Sequence, residues 1–474
     1  MQFTDSAPAS NQTRGKLPPA APLPAALQTL ACRLWPLAYF ERCRARYGER
    51  FTVRPVDMAP LVFLSNPQEI RAVLGAPASV LHTGVGGEVV APLFGEDSFM
   101  LHEDEEHMCG RNAIQPAFHR RVVRGHAETI AKIVDDEIAA WPLGVPFAIH
   151  PRLRALTLRV IMRSLFGAED RDFAELHARL LKMLSVMASF LLQEPRLRHL
   201  PGWRGTWRRF VRQRGEVDRL IFTLIARRRR MRGQGDDLLE TLLTAHNPDG
   251  SPMSDQQVRD NLVSVLIAGH ETTSSELAWA FQLLAHNPRV QERLVAELDD
   301  DTHNEEYLTA TIHEVLRHRP VFPFAVPRAV AQPVAIGGWD YYPPTQLLGC
   351  IYLVHHDPLL YPDPHEFRPE RFLGSPPRAR TWLPWGGGRK RCLGQHLALL
   401  EMQTVLRAVL ATCRVLPASK HIERPRWRSV LLTPHEGSRV ILSERRRSRV
   451  DPIIWPRNGT RSNRNISVPI GTDF

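Results

Sequence analysis

Between Ser254 and Asn287-Pro288 lies the segment that most limits the folds open to this chain. Ser254 followed by Gln257 has the spacing of a capping box, and Asn287-Pro288 supplies a stop, so residues 255 to about 286 are expected to form one helix. At 1.5 Å per residue that rod is roughly 48 Å long, enough to cross a whole domain. Its middle, from Leu262 to Ile267, is apolar nearly all round, as in a helix buried at the centre of a core. The rest of the chain must therefore supply a large apolar environment, and a composition of 43% hydrophobic and 23% charged residues permits one.

The flanking segments suggest how that environment is built. Residues 1–25 are rich in Pro, Ala and polar residues and are expected as a flexible, extended lead-in. A helical pattern follows from about 27 to 47. Phe51-Thr-Val-Arg54 and Leu61-Val-Phe-Leu64 then look like two strands of a hairpin, with a short helix from Pro67 to Leu74. From Glu103 to about Asp300 the pattern is mainly helical, interrupted at Pro195, Pro201 and Asn247-Pro-Asp-Gly250. A β-rich patch spans about 324–350, a helix about 394–413, and short strands lie near 428–442. The expected class is mainly α with small β-sheets (α+β), as a single catalytic domain over 26–443. Residues 444–474 are expected as a disordered basic tail, since seven arginines from Arg445 onward face only Asp451 and Asp473.

The net charge of +11 fits an acidic partner, an anionic surface or nucleic acid. The six cysteines are scattered without a CxxC pair, which disfavours a disulfide framework or structural zinc and suits a reducing cytosol. No run of roughly 18 apolar residues is present, so no transmembrane segment is expected, and the N-terminus has no export signal pattern.

Two segments carry chemistry. In the apolar centre of the long helix, Ala268-Gly-His-Glu-Thr-Thr273 is a choice that helix propensity would not make, since glycine costs about 1 kcal/mol against alanine. A glycine and a back-bonding threonine fit either a kink in a core helix or a widened turn that lodges a small ligand and water. The second segment, Leu383-Pro-Trp-Gly-Gly-Gly-Arg-Lys-Arg-Cys392-Leu-Gly394, sets a cysteine after a triple glycine at the start of a helix. Glycines let backbone pass close to a flat ligand, and a helix N-terminus with neighbouring cations stabilises a thiolate. A phosphate loop would need GxxxxGK[ST], which is absent, and His313-Glu314 fails the HExxH zinc pattern because the next histidine is His318.

The cysteine loop resembles the haem-binding signature of the cytochromes P450, and Ala268 to Thr273 resembles the oxygen-activating motif of their long central helix. Glu314-Val-Leu-Arg317 matches the family's ExxR, and Phe367-Arg-Pro-Glu-Arg371-Phe matches the stretch that supplies a second arginine. His107-Met-Cys-Gly-Arg111 resembles the HxxxR of soluble bacterial members, and Arg328 falls where another propionate partner is expected. The segments occur in the family's order from about residue 17 to 443, in the style of actinobacterial, mycobacterial-type members. Trp385 stands for the usual Phe, and Lys390 for the usual Arg or His.

The resemblance implies a P450 fold with the long helix across haem b (iron protoporphyrin IX) and Cys392 as the axial metal ligand. It implies reductive oxygen activation, with Thr272 hydrogen-bonding dioxygen and its water, Glu271 relaying protons, and Gly269 beside Ala268 clearing room near the iron. His107, Arg111, Arg328 and Lys390 are expected to hold the cofactor, and Glu314, Arg317 and Arg371 to form a structural triad. His270 is expected to face substrate or solvent. The resemblance points to a cytoplasmic monooxygenase acting on a hydrophobic lipid, terpenoid, sterol or polyketide, with its chamber lined by about 78–100, Ala268, Val321 to Ala325 and Leu432 to Pro434. A separate ferredoxin and ferredoxin reductase, the ferredoxin docking near Arg389, Lys390 and Arg391, would supply electrons; nucleic acid is not an expected partner. A haem-thiolate sensor and a peroxide-driven oxidase or isomerase are the alternatives, and the presence of both Glu271 and Thr272 speaks against them.

Overall fold

The computed structural model describes residues 16–83, 87–167, 171–187, 204–231, 237–300, 305–428 and 430–445. Pro195, Pro201 and almost all of the basic tail lie outside them. The described chain is mainly helical, with small sheets at its margins.

The central helix runs Asp255–His286 and begins with the capping box that its sequence specifies. The Gln257 amide donates to Ser254 Oγ (3.1 Å) while the Ser254 amide donates to Gln257 Oε1 (2.9 Å), so two otherwise unpartnered N–H groups are satisfied. Leu262, Leu266, Leu277, Phe281 and Leu284 on this helix are wholly buried, among Leu153, Leu156, Val405 and Val409 from the helices His150–Phe166 and Gln395–Thr412. At about 1.5–3 kcal/mol for each large apolar side chain buried, this packing is the main force holding the body together.

The principal sheet gathers strands from distant parts of the chain. Arg50–Val53 pairs antiparallel with Leu61–Leu64, with Phe51 opposite Phe63. Leu61–Leu64 then runs parallel to Gln346–Gly349, which a hairpin cannot join, so most of the helical body lies in the crossover between them. Arg328–Val330 and Leu81–His82 complete that sheet. The hairpin Pro425–Arg428 with Leu431–Pro434 reaches back to the central helix, where Trp279 Nε1 donates to the Leu432 carbonyl at 3.0 Å.

Two expectations need correction. The helix expected over 27–47 is two helices, Ala25–Leu34 and Pro36–Tyr47, because Pro36 has no N–H to continue the first one. The described part of the lead-in is not free: Thr52 donates to the carbonyls of Pro18, from Oγ1 at 2.7 Å, and Pro19, from its amide at 2.8 Å, which pins residues 18–20 along the first strand.

Candidate active site

The cysteine loop gets its shape from glycines that no other residue replaces cheaply. Gly386 and Gly388 both have φ of 65°, and a Cβ on Gly388 would lie 2.1 Å from the Leu74 carbonyl oxygen. The loop is thereby pressed against the helix Pro67–Gly75 and closed by the Cys392 amide, which donates to the Trp385 carbonyl at 3.0 Å. Gly394 is the N-cap of the helix Gln395–Thr412, so Cys392 stands just before a helix N-terminus. Its side chain is exposed, yet protein surrounds the sulfur so closely that burial is the largest influence on the thiol and pushes its pKa up. The amides of Gly394 and Gln395 and the guanidiniums of Arg111 and Arg391 act the other way and favour the thiolate.

The cationic groups expected around a cofactor converge on this loop in different ways. Arg111, on the helix Asp104–Ile114, donates from Nη1 to the Arg391 carbonyl at 2.8 Å. His107 on the same helix is buried; its Nδ1 pairs with the Phe99 carbonyl at 2.8 Å, and the ring also hydrogen-bonds to the backbone of Arg389 in the cysteine loop. Arg328 is also buried, with an unpartnered Nε, and burial pushes its pKa down. Such an atom normally finds a hydrogen-bond partner, so Arg328 fits an anionic group brought by a ligand. Lys390 departs from expectation: its Nζ donates to the His102 carbonyl (2.7 Å) and pairs with Glu103 (3.3 Å), so its charge already has a partner within the protein.

The motif in the central helix is half-open between two buried stretches. Residues 261–266 and 273–280 are buried, whereas Ala268, Gly269, Glu271 and Thr272 are half-buried. Thr272 Oγ1 donates to the Ala268 carbonyl at 2.6 Å, as its back-bonding geometry suggests. No widened turn results, because the hydroxyl adds to the ladder and the segment stays α-helical throughout. At Gly269 a Cβ would meet Ile161 Cδ1 at 2.9 Å, so its bareness serves close packing with the helix His150–Phe166.

His270 is corrected outright. It faces neither substrate nor solvent but is fully buried, with Nδ1 2.9 Å from Thr157 Oγ1, and burial lowers its pKa to about 3. Beside it, Glu271 is clamped by Arg154, 2.9 Å from Nε to Oε2, and by Arg428, 2.5 Å from Nε to Oε1. Burial alone would raise the Glu271 pKa, but the neighbouring His270, Arg154 and Arg428 outweigh it and hold the carboxyl at about 2. Since His270 is itself neutral near neutral pH, the two guanidiniums are the effective partners. Arg154 and Arg428 escaped sequence reasoning because they lie 117 and 157 residues from Glu271 and no motif marks them.

The three charged residues read as a structural unit do meet. Arg317 binds Glu314 through both ends of the guanidinium, Nε to Oε2 at 2.7 Å and Nη2 to Oε1 at 2.8 Å, with both side chains fully buried. Arg371 Nε reaches the same carboxylate at 3.3 Å, and Arg317 Nη1 donates to the carbonyls of His355 and Pro364, each at 2.8 Å. Segments assigned to the chamber wall also come together on the central helix: Ser98 Oγ lies 2.6 Å from Ser264 Oγ, the Phe99 amide donates to Asn261, and the Leu432 amide donates to the Val321 carbonyl at 2.8 Å.

Comparison with known proteins agrees with this arrangement. The family model described as Cytochrome P450 matches residues 17–441. Cytochrome P450 135B1 of Mycobacterium tuberculosis is 34% identical over 433 residues, covering 90% of this chain and 91% of its own. Cytochrome P450 137 of the same organism is 33% identical over 434 residues, covering 89% of this chain and 90% of its own. Among solved structures, retinoic acid bound cyanobacterial CYP120A1 superposes with a TM-score of 0.77 at 23% identity, covering 90% of this chain and 99% of that one. With a family match over nearly the whole chain and relatives alike in sequence and fold, this protein belongs to the cytochrome P450 family and is a haem monooxygenase.

Proposed function

We propose that the thiolate of Cys392 would hold the iron of haem b and that the enzyme oxidises a hydrophobic organic substrate with electrons from a separate ferredoxin and its reductase. The observation that carries this reading is the accessible sulfur of Cys392, set before a helix N-terminus with backbone amides and two guanidiniums disposed to favour its ionised form. When bound, haem supplies reductive activation of dioxygen, and thiolate ligation favours O–O cleavage over reversible carriage. His107, Arg328 and Arg111 would hold the two propionates, Arg328 with a buried donor that has no other partner and Arg111 from beside the loop. Lys390 supports the loop through Glu103 and the His102 carbonyl instead of reaching a propionate.

Thr272 offers its hydroxyl at the accessible turn of the central helix, where it holds water and passes a proton. Glu271 is held ionised by Arg154 and Arg428, so it would take part in that relay only after one guanidinium swings away and lets the carboxyl take up a proton. Replacing Thr272 with Ala is expected to leave substrate binding intact while diverting reducing equivalents to hydrogen peroxide. Unchanged coupling of oxygen uptake to product would remove this role.

The apolar character of Val321 and Leu432, both buried where segments meet the central helix, supports a hydrophobic substrate. The solved relative bound to retinoic acid is in keeping with that class. The six cysteines are all free, which suits a cytoplasmic setting.

For electron delivery, Arg389 is paired with Asp104 and Lys390 with Glu103, so two of the three loop cations expected to meet a ferredoxin are already engaged. The better cationic surface is formed by Arg121 and Arg124, both exposed on the short helix Arg120–Gly125, together with Arg391. Arg124 and Arg391 are close enough to add to burial in lowering the pKa of His396. Charge reversal at Arg121 and Arg124 is expected to slow the first electron transfer by roughly tenfold at low salt and much less at high salt. An unaltered rate at low salt would place the docking surface elsewhere.

A further inference from the structure

The first helix, Ala25–Leu34, is built inside out. Its one buried residue is Gln28, a polar side chain whose Nε2 donates to the carbonyls of Ala21 (3.3 Å) and Leu23 (2.8 Å) and whose Oε1 accepts from the Arg54 amide (2.9 Å). Ala31 and Cys32 pack against the core beneath it, but its leucines point the other way. Leu27, Leu30 and Leu34 follow the i, i+3, i+7 spacing of a single helix face, and with Leu23 and Trp35 at the two ends they are between 42% and 56% exposed. Val56 and Met58 extend the patch, since the Val56 amide donates to Thr29 Oγ1 at 3.0 Å, and they are 46% and 54% exposed. Single exposed leucines need no explanation, but a contiguous row with Gln28 turned inward does.

We propose that this helix seats the enzyme on an anionic lipid surface. A row of leucines bounded by a tryptophan matches an interfacial helix lying in the plane of the membrane, with the indole at the headgroup level. The charge at this end of the molecule agrees with the partner: Lys16, Arg33, Arg42, Arg46 and Arg54 outnumber Glu41, Glu49 and Asp57. Such seating needs no spanning segment, and among the described residues no helix is long and apolar enough to cross a membrane. The patch is rigidly tied to the body, because Trp427 Nε1 donates to the Cys32 carbonyl at 3.0 Å and the Trp427 ring packs on Phe324 at 5.9 Å. Trp427 belongs to the hairpin that also carries Leu432, so the lipid lies on the side of the molecule assigned to a hydrophobic substrate. That last consequence rests on the substrate reading; the docking itself does not.

The test is co-sedimentation of the full-length holoprotein with vesicles of phosphatidylcholine alone or mixed equally with phosphatidylglycerol, at low and high salt. The wild type is expected to pellet with the mixed vesicles. The triple substitution Leu27→Ser, Leu30→Ser, Leu34→Ser is expected to lower its partitioning by about tenfold or more. Arg42→Glu with Arg54→Glu is expected to lower it at low salt. Since these side chains are already exposed, the variants keep the wild-type melting temperature and ferrous carbonyl spectrum, and the tail's charge is the same in every arm. Failure of the wild type to bind, equal binding to both vesicle types, or equal binding by the serine variant overturns the proposal. A wild-type dimer that ignores vesicles and dissociates in the serine variant also overturns it, and assigns the patch to a second copy of the chain. Loss of turnover with binding intact bears on the reaction and leaves the lipid seat standing.

Discussion

Arg328 keeps a guanidinium buried with its Nε unpartnered, and an unsatisfied buried donor costs a protein about 1–3 kcal/mol, more when charged. A residue with that penalty in the bare protein and a compensating anion in the loaded one makes opposite contributions to the two forms. Arg328→Leu is therefore expected to leave the melting temperature of the haem-free protein unchanged or higher, while haem leaves the loaded protein about tenfold faster. Transfer of haem to an acceptor protein measures the second effect, and an unaltered rate would remove Arg328 from the cofactor's holders. Residues such as Arg328 and Cys392 could be proposed from the sequence because their chemistry goes with fixed local spacing. Side-chain direction was less legible. His270, Gly269 and Lys390 each occupy the expected place in a motif but spend their contacts on Thr157, Ile161 and Glu103, partners set by helix packing and not by the motif. Arg154 and Arg428 were invisible for the same reason, since only the fold brings them to Glu271.

At the level of elements, the buried knot of Glu314, Arg317 and Arg371 ties the helix Glu306–His318 to the Pro369–Phe372 turn and the segment ahead of the cysteine loop. Removing one partner of a buried pair strands the other, at about 3–5 kcal/mol. Arg317→Leu is accordingly expected to destabilise the protein by that amount in urea unfolding. Glu314→Gln combined with Arg317→Leu is expected to cost less, because the stranded carboxylate is gone. Equal losses in the single and double variants would mean that the knot acts through shape alone. Elements with punctuation at both ends were readable: the capping box and Asn287-Pro288 fixed the central helix, and glycine and proline bounded the β-rich patch over 324–350. The pairing of Leu61–Leu64 with Gln346–Gly349 was not, because a parallel pair across so many residues leaves no local signal.

Over the whole molecule, the protein buries far more histidine than it can protonate. Burial holds the pKa of His150, His270 and His355 at about 3 and that of His313 at about 4, and pushes those of His318 and His356 well below the ordinary value. These groups protonate in the unfolded chain below about pH 6.5 but stay neutral in the folded one, so stability falls as pH drops from 6.5 toward 4. Each proton taken up in excess by the unfolded state is worth about 1.4 kcal/mol per pH unit. Glu276 and Glu401, whose pKa values burial raises, act in the opposite sense above the ordinary carboxylate range, but they are outnumbered. The Glu271 clamp, with its pKa lowered, keeps its full contribution until the pH falls below that range. The holoprotein is therefore expected to melt several degrees lower at pH 5 than at pH 7; a flat profile would show that the histidines are solvated. The account as a whole depends on one sulfur, and the absorption spectrum of the reduced carbonyl complex tests it most directly. The wild type is expected to show the red-shifted Soret band of thiolate ligation and Cys392→Ala to lose it; retention of that band in the variant, or an imidazole-type spectrum in the wild type, would contradict the assignment.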